Sequence, residues 1–477
     1  MVAVGEAAAF AEGTAITSAA AGSQTVEKNK VPKIKQANGR KRPEFIFNPP
    51  RSRNAIIQPT SGEARGRKPM GLRVDDKHLL GALEELGRIG AIEGGGCARL
   101  ALTDEDKAGR DLVVGWMKAA GLAVSIDAIG NVIGLRAGTE KLAPIMTGSH
   151  IDTVRTGGRY DGNYGVLAGL EVVRALNEAK VTTRRPIAVA FFTNEEGARF
   201  QPDMMGSLVY AGGVGLNEAY AATDKHGVSV GDELLRIGYR GTARPGALKP
   251  HAFLELHIEQ GPILDEGKVQ IGVVESVQGI SWTEYTVTGV SNHAGTTPMR
   301  LRRDAGYLAA SVNLFVRKLA WNMGGDQVAT VGALTLRPNL INVVPNRAVF
   351  AGDLRNTDEA RLKEAEARVA AHIAEAAEDE RVEVEAKVLA RFEPVIFDAG
   401  LVGRVEHHAK ALALSTRRMP SGAGHDAQMM QRLCPTAMIF VPSVAGLSHN
   451  VKEHTDAADL TAGAQVLMNL MLELAEE

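Results

Sequence analysis

The stretch FFTNEEGARF, residues 191–200, ends an apolar run with two adjacent carboxylates, Glu195 and Glu196. Adjacent like charges repel unless something nearby uses them. Two readings are open: a solvated turn, where charged residues usually lie, or a site in which a cation sits against the pair. Four other stretches bear on the choice. TGSHIDTV supplies His150 and Asp152, GGRYDGNYG supplies Asp161, LELHIEQG supplies His257, and SHNVKEHT supplies His449. They fall at or beyond the ends of segments that read as buried strands, where open α/β sheets gather their ligands. A single histidine beside a strand is commonly a packing residue; five such groups around a glutamate pair are hard to treat as separate accidents. Imidazole and carboxylate without thiolate suit zinc, manganese, cobalt or nickel. Two such cations, ~3.5–4 Å apart, need a carboxylate to bridge them. With one glutamate as ligand, its neighbour can face water as a general base, and the cationic charge makes the adjacency favourable.

The elements that must position these groups follow from periodicity. DDKHLLGALEELGRIG places Leu79, Leu80, Leu83 and Leu86 on one helical face, and Thr103 with Asp106 opens a second helix with a capping-box-like start. AVSIDAIGNVIGLR predicts a hairpin around Gly130-Asn131, APIMTGSH a short buried strand, GVLAGLEVVRALNEA a helix and PIAVAFFT the next strand. That alternation argues an α/β layer with a largely parallel core. The middle of the chain differs. TEYTVTG, DAGYLAASVNLFVRKLA, DQVATVGAL, RAVFAGDLR, EARLKEAEARVAAHIAEAAE and VEVEAKVLA run strand, helix, strand, strand, helix, strand. That β-α-β-β-α-β order is ferredoxin-like. The fold class expected is α/β: a discontinuous catalytic domain, residues 75–278 and 393–477, carrying an inserted ferredoxin-like lid or dimerisation domain, residues 279–392.

Composition sets the bounds. The 477 residues are 45% hydrophobic and 23% charged, ordinary for a soluble globular protein, and the net charge of −2 gives no global signal for nucleic acid or membrane. Cys97 and Cys434 are the only cysteines, too few for a disulfide scaffold or a thiolate zinc cluster. No apolar run approaches the ~20 residues of a membrane helix. The expectation is a soluble protein of a reducing compartment, the cytoplasm. Residues 1–74 carry 13 Lys/Arg against 5 Asp/Glu and lack sustained periodicity, so this segment reads as a disordered basic arm.

The motifs HIDTV, the Asp161 loop, NEEGARF, ELHIEQGP, SNHAGTTPM, NVVPN…DLR and GAGHDA occur in that order. Over about residues 76–477 the chain thereby resembles the metal-dependent amidohydrolases of the carbamoylase branch of the M20 peptidase superfamily. The resemblance implies two divalent cations per subunit, one held by His150 and His257, the other by Glu196 and His449, with Asp161 between them. It implies Glu195 as the base and Asp152 as a carboxylate that orients His150. His257 stands where the peptidase branches usually place a carboxylate. Further implied are Asn342 and Arg355 as the grip on a substrate carboxylate, and His293 as an oxyanion donor that reaches across a homodimer. Gln260 and the loop Gly424-His425-Asp426 are implied at the ureido end. Read from the residues alone, DLR is equally a salt bridge within the lid, and Gln260 a simple loop residue.

The expected activity is hydrolysis of the carbamoyl C–N bond of an N-carbamoyl-L-amino acid, a small-molecule ureido substrate. Allantoate amidohydrolase and β-ureidopropionase chemistry need the same groups. A non-catalytic metal-binding relative is disfavoured by the presence of the base and all five ligands, and an aminopeptidase by His257.

Overall fold

The computed structural model describes residues 71–477. Most of the basic arm therefore lies outside the described residues. Its last few residues belong to the fold: Val74 is buried, and its backbone N–H donates to the side chain of Gln465.

The chain is a mixed α/β protein with two sheets. At the centre of the larger sheet four strands run parallel, in the order Ile187–Phe192, Ile145–His150, Ala252–Ile258 and Thr436–Val441. Every residue of these four is buried. Continuous apolar runs of this kind are what a sheet covered by helices on both faces demands. The hairpin predicted around Gly130-Asn131 pairs Ala123–Ile126 with Val132–Arg136 and extends the sheet antiparallel at one side. On the other side Ile271–Val277 joins antiparallel and pairs in turn with Thr416–Ser421. Those two strands were not foreseen, because QIGVVESV and TRRMPS carry no alternating pattern. Helices Asp76–Gly87, Asn163–Glu178, Ala399–Ala411 and Ala457–Ala475 pack side by side as one covering layer, and Asp104–Ala119, Met205–Tyr210 and Asp426–Met430 also pack on the sheet. Leu79, Leu83 and Leu86 are buried as the helical spacing requires.

The start of helix Asp104–Ala119 is capped as read, with a shift of one residue. Thr103 Oγ1 accepts from the Asp106 N–H, while the Asp106 carboxylate reaches back to the N–H of Leu102.

Residues 279–392 fold on a second, four-stranded antiparallel sheet of Gly279–Thr288, Val328–Arg337, Arg347–Asn356 and Glu383–Phe392. Helices Ala305–Met323 and Glu359–Glu380 lie against it, and the chain order is β-α-β-β-α-β. Val287, Leu308, Val312, Phe350, Leu362 and Val369 belong to an apolar core separate from that of the larger sheet. No described helix is long and apolar enough to cross a membrane.

Candidate metal centre

Parallel pairing aligns the strand ends that carry the site. His150 is the last residue of its strand and pairs with Phe192, three residues before Glu195; His257 pairs with Phe440 in the strand that leads to His449. Asp161 precedes the helix Asn163–Glu178, and between them Gly162 adopts φ 65°. A Cβ on Gly162 would stand 2.4 Å from the His150 ring, so only glycine lets the turn pass there.

These side chains converge. His150 Nε2 lies 3.5 Å from Asp161 Oδ1 and 3.3 Å from Glu195 Oε2, and His257 Nε2 lies 3.2 Å from Asp161 Oδ1. The other Asp161 oxygen, Oδ2, is 3.5 Å from His449 Nε2, which is 3.2 Å from Glu196 Oε2. One carboxylate thus divides its oxygens between two clusters, His150–Asp161–His257 and Asp161–Glu196–His449. A third cluster, Glu255–His257–His425, fits a cation poorly, because its groups already have partners: Glu255 accepts from Ser149 and the Ala427 N–H, and His425 bonds Ser421.

Donor chemistry supports the fit of divalent cations. Nδ1 of His150 and of His257 each face a backbone carbonyl, those of Asp152 and Ile258, both at 2.9 Å. A carbonyl only accepts, so the Nδ1 atoms donate and the Nε2 atoms turn to the cluster. One expectation is corrected here. The carbonyl of Asp152, not its carboxylate, orients His150; the carboxylate instead accepts from the N–H groups of Glu195 and Glu196, each at 3.3 Å. Asp152 lies two residues past the strand, and its carboxylate is taken up by the backbone of the neighbouring loop.

That loop is clamped at its neck. Asn131 Oδ1 accepts from the Thr193 N–H and its Nδ2 donates to the carbonyl of Gly206, while the Gly206 N–H donates to Thr193. A Cβ on Gly206 would lie 2.2 Å from Asn131 Oδ1. Buried Arg110, paired with Asp106, adds a bond to the Thr193 hydroxyl.

The electrostatics are those of a cluster built around positive charge. Burial, with the charges of Asp426, Glu196 and Asp161, raises the Glu195 pKa well above the usual carboxylate range, against the pull of His150. Burial also opposes charge on Asp161, but hydrogen bonds from His150, His257 and His449 hold its pKa well below the ordinary value. Hydrogen bonds to Asp161 and Glu196 push His449 up to about 10.

The clusters open into a cavity of about 130 Å³. Gln260, Arg355, Gly424 and His425 border it, and Gln260 Nε2 donates to Asp161 Oδ2 at 2.9 Å. His425 is buried, its ring 4.6 Å from that of His257. Burial and the charge of His257 hold its pKa well below the ordinary imidazole value, so it packs as a neutral ring. Arg355 is already engaged: its fork grips Asp353 at 2.9–3.2 Å, and Nη1 donates to the carbonyl of Gly422 at 2.7 Å. Asn342 and His293 do not border this cavity. They are exposed together on two adjoining segments, where His293 bridges Val343 and the Asn342 carbonyl accepts from Ala294. Asp203, Ile280, Trp282 and Ala423 border the cavity although the sequence reading did not single them out. Asp203 had a readable signal, since it lies in the same loop as the glutamate pair.

The profile of the peptidase family M20/M25/M40 matches residues 146–473. The chain belongs to that family. Its similarity extends to the hydantoinase/carbamoylase amidases: an amidase of that family from Burkholderia multivorans, known as a crystal structure, is 45% identical, with 85% of this chain and 99% of that chain covered and a TM-score of 0.81. The N-carbamoyl-L-amino-acid amidohydrolase of Rhizobium meliloti is 44% identical over 85% of this chain and 97% of its own length. The allantoate amidohydrolase of Escherichia coli K12 is 35% identical over 83% of this chain and 98% of its own. The M20 match spans every metal-binding candidate, and it includes the residues of the second sheet.

Proposed function

We propose that this M20 protein is a dinuclear amidohydrolase that cleaves the carbamoyl C–N bond of N-carbamoyl-L-amino acids, giving the amino acid, CO2 and ammonia with uptake of one water. One observation carries the reading: Asp161 divides its oxygens between two His-containing clusters, with Glu195 at the edge of one and an arginine, Arg355, across the same cavity. Zinc, manganese, cobalt or nickel suits this donor set and, when bound, supplies Lewis acidity to a carbonyl oxygen and acidifies water.

In this assignment His150 and His257 would hold one cation and Glu196 and His449 the other, with Asp161 offering an oxygen to each. Glu195 is the base. It takes a proton from water and returns it to the leaving nitrogen. Asp152 holds the backbone of both glutamates, so base and ligand keep their separation. Arg355 receives the substrate carboxylate, its planar fork matching two oxygens. Asp353 holds that fork now, so capture requires exchange of one carboxylate for another or use of Nη1. Gln260 and the Gly424-His425 turn face the ureido end.

Residues 279–392 are read as an inserted ferredoxin-like domain that serves as lid and dimer contact, with residues 75–278 and 393–477 as the catalytic domain. The separate apolar core supports the division. The exposure of His293 and Asn342, away from their own cavity, suits a homodimer in which one protomer completes the site of the other. Exposed Tyr307, Leu314, Trp321 and Leu334 offer apolar surface for such a contact. A cleft of about 680 Å³ shares Gln260, Arg355 and Ala423 with the metal cavity and leaves room for a substrate side chain.

The test is a side-by-side assay of metal-reconstituted protein on N-carbamoyl-L-amino acids, N-carbamoyl-β-alanine and allantoate. The expected result is the highest kcat/KM on an N-carbamoyl-L-amino acid. Preference for allantoate would move the assignment to that relative's chemistry.

A further inference from the structure

Buried polar atoms are nearly always hydrogen-bonded, so those that lack partners ask for a reason. Three such atoms belong to residues that border the metal cavity: Asp203 Oδ1, Gln260 Oε1 and Trp282 Nε1. Two are acceptors and one is a donor. Each is shielded from solvent, and none meets a protein group.

Their places in the fold differ. Asp203 lies in the glutamate loop, one residue before Met204, whose N–H donates to the Glu195 carbonyl at 2.7 Å. Burial raises its carboxylate to about 6, with the Arg355 charge pulling it down and the Glu196 charge adding to the rise, and all three residues border the cavity. Trp282 lies on the strand Gly279–Thr288, opposite Asp353, and the Arg355 guanidinium stands 5.7 Å from its ring. One orphan group is therefore attached to the base loop, and another lies beside the arginine.

We propose that Asp203 and Trp282 are substrate-contacting, specificity-determining residues: Asp203 Oδ1 accepts an N–H of the ureido group, and the indole N–H of Trp282 donates to the substrate carboxylate beside Arg355. This rests on the carbamoylase reading above and deepens it. A ureido group carries N–H donors on both nitrogens, matching two unpartnered acceptors, whereas a formyl amide carries one N–H. A carboxylate supplies the acceptor that Trp282 lacks. A site that buries unpaired hydrogen-bonding groups rejects a ligand unable to pair them.

The experiment compares an N-carbamoyl-L-amino acid with the N-formyl derivative of the same amino acid, in wild type and in Asp203→Ala, Asp203→Asn and Trp282→Phe. Metal content and thermal midpoint are measured on each protein. Asp203→Ala should lower kcat/KM on the carbamoyl substrate by ~tenfold and on the formyl substrate by ~twofold or less, as loss of a charged hydrogen bond would do. Asp203→Asn keeps an acceptor oxygen and should recover most of that loss. Trp282→Phe keeps a ring under Arg355 and should raise KM on both substrates equally, by ~fivefold or more. Metal content should not change. Equal losses on both substrates in Asp203→Ala, or no loss, would overturn the role of Asp203; an unchanged KM in Trp282→Phe would overturn that of Trp282. Wild type that turns over neither carbamoyl amino acids nor their formyl analogues defeats the underlying reading itself, and this inference with it.

Discussion

On the larger sheet His150, Asp161, Glu195 and His257 are buried and joined to one another, whereas on the smaller sheet Asn342 and His293 are exposed and Arg355 is bonded to Asp353 and Gly422. The difference has a structural source. His150 and His257 issue from the ends of parallel strands whose register is set by buried ladders, Asp161 comes from the turn before helix Asn163–Glu178, and Asp152, Asn131 and Arg110 brace the loop that carries the glutamates. Arg355 sits near the end of an inner strand and bonds both Asp353 beside it and the distant Gly422 carbonyl, while Asn342 and His293 lie on exposed segments. A site of this kind fixes its electrostatics before substrate arrives and leaves recognition to groups that must exchange partners. Preorganised charge is where most catalytic stabilisation is expected.

Breaking the rigid half should have the largest effect. Glu195→Gln preserves shape but cannot accept a proton, so kcat should fall by ~10²–10⁴-fold. Elemental analysis should find the same metal content as in wild type. Loss of metal from that variant would mean that Glu195 is a ligand and that its role and that of Glu196 are exchanged.

The adaptable half should respond more mildly. Arg355→Lys replaces a fork with a point charge, and kcat/KM on carboxylate substrates should fall by ~tenfold, about 1.4 kcal/mol of transition-state binding. Steady-state kinetics across several substrates checks this, with metal content unchanged. Unchanged kinetics on every carboxylate substrate would leave Arg355 as the partner of Asp353 alone, which the DLR stretch allowed from the start.

The same contrast explains what the sequence made legible. Parallel strands read as apolar runs, and each ended in a residue of recognisable chemistry, so His150, Glu195, Glu196 and His257 could be placed from local pattern and met in space. The β-α-β-β-α-β order was equally readable, because its helices and strands keep clean periods. Asp152 was read as far as its proximity to His150, but which atom does the orienting depends on chain direction past the strand, which no residue type encodes. Arg355 was identifiable as a candidate carboxylate grip or as the partner of Asp353, yet its bond to the carbonyl of Gly422 depends on a contact across 67 residues. The place of Asp203 in the glutamate loop was readable, but the interest of Asp203 and Trp282 lies in what they fail to bond, a property of three-dimensional surroundings.

The central claim is that two cations shared by Asp161 are needed for turnover, and metal removal and titrated return test it most directly. Protein stripped by chelation should be inactive, and adding Mn, Co, Ni or Zn should restore hydrolysis of an N-carbamoyl-L-amino acid, saturating at two equivalents per chain. Cation and proton compete for His449, whose pKa of about 10 in the metal-free cluster means it is protonated at neutral pH. Loading should therefore weaken as pH falls, by about tenfold in affinity per unit for each proton displaced. Full activity in metal-free protein, or saturation at a single equivalent, would contradict the account.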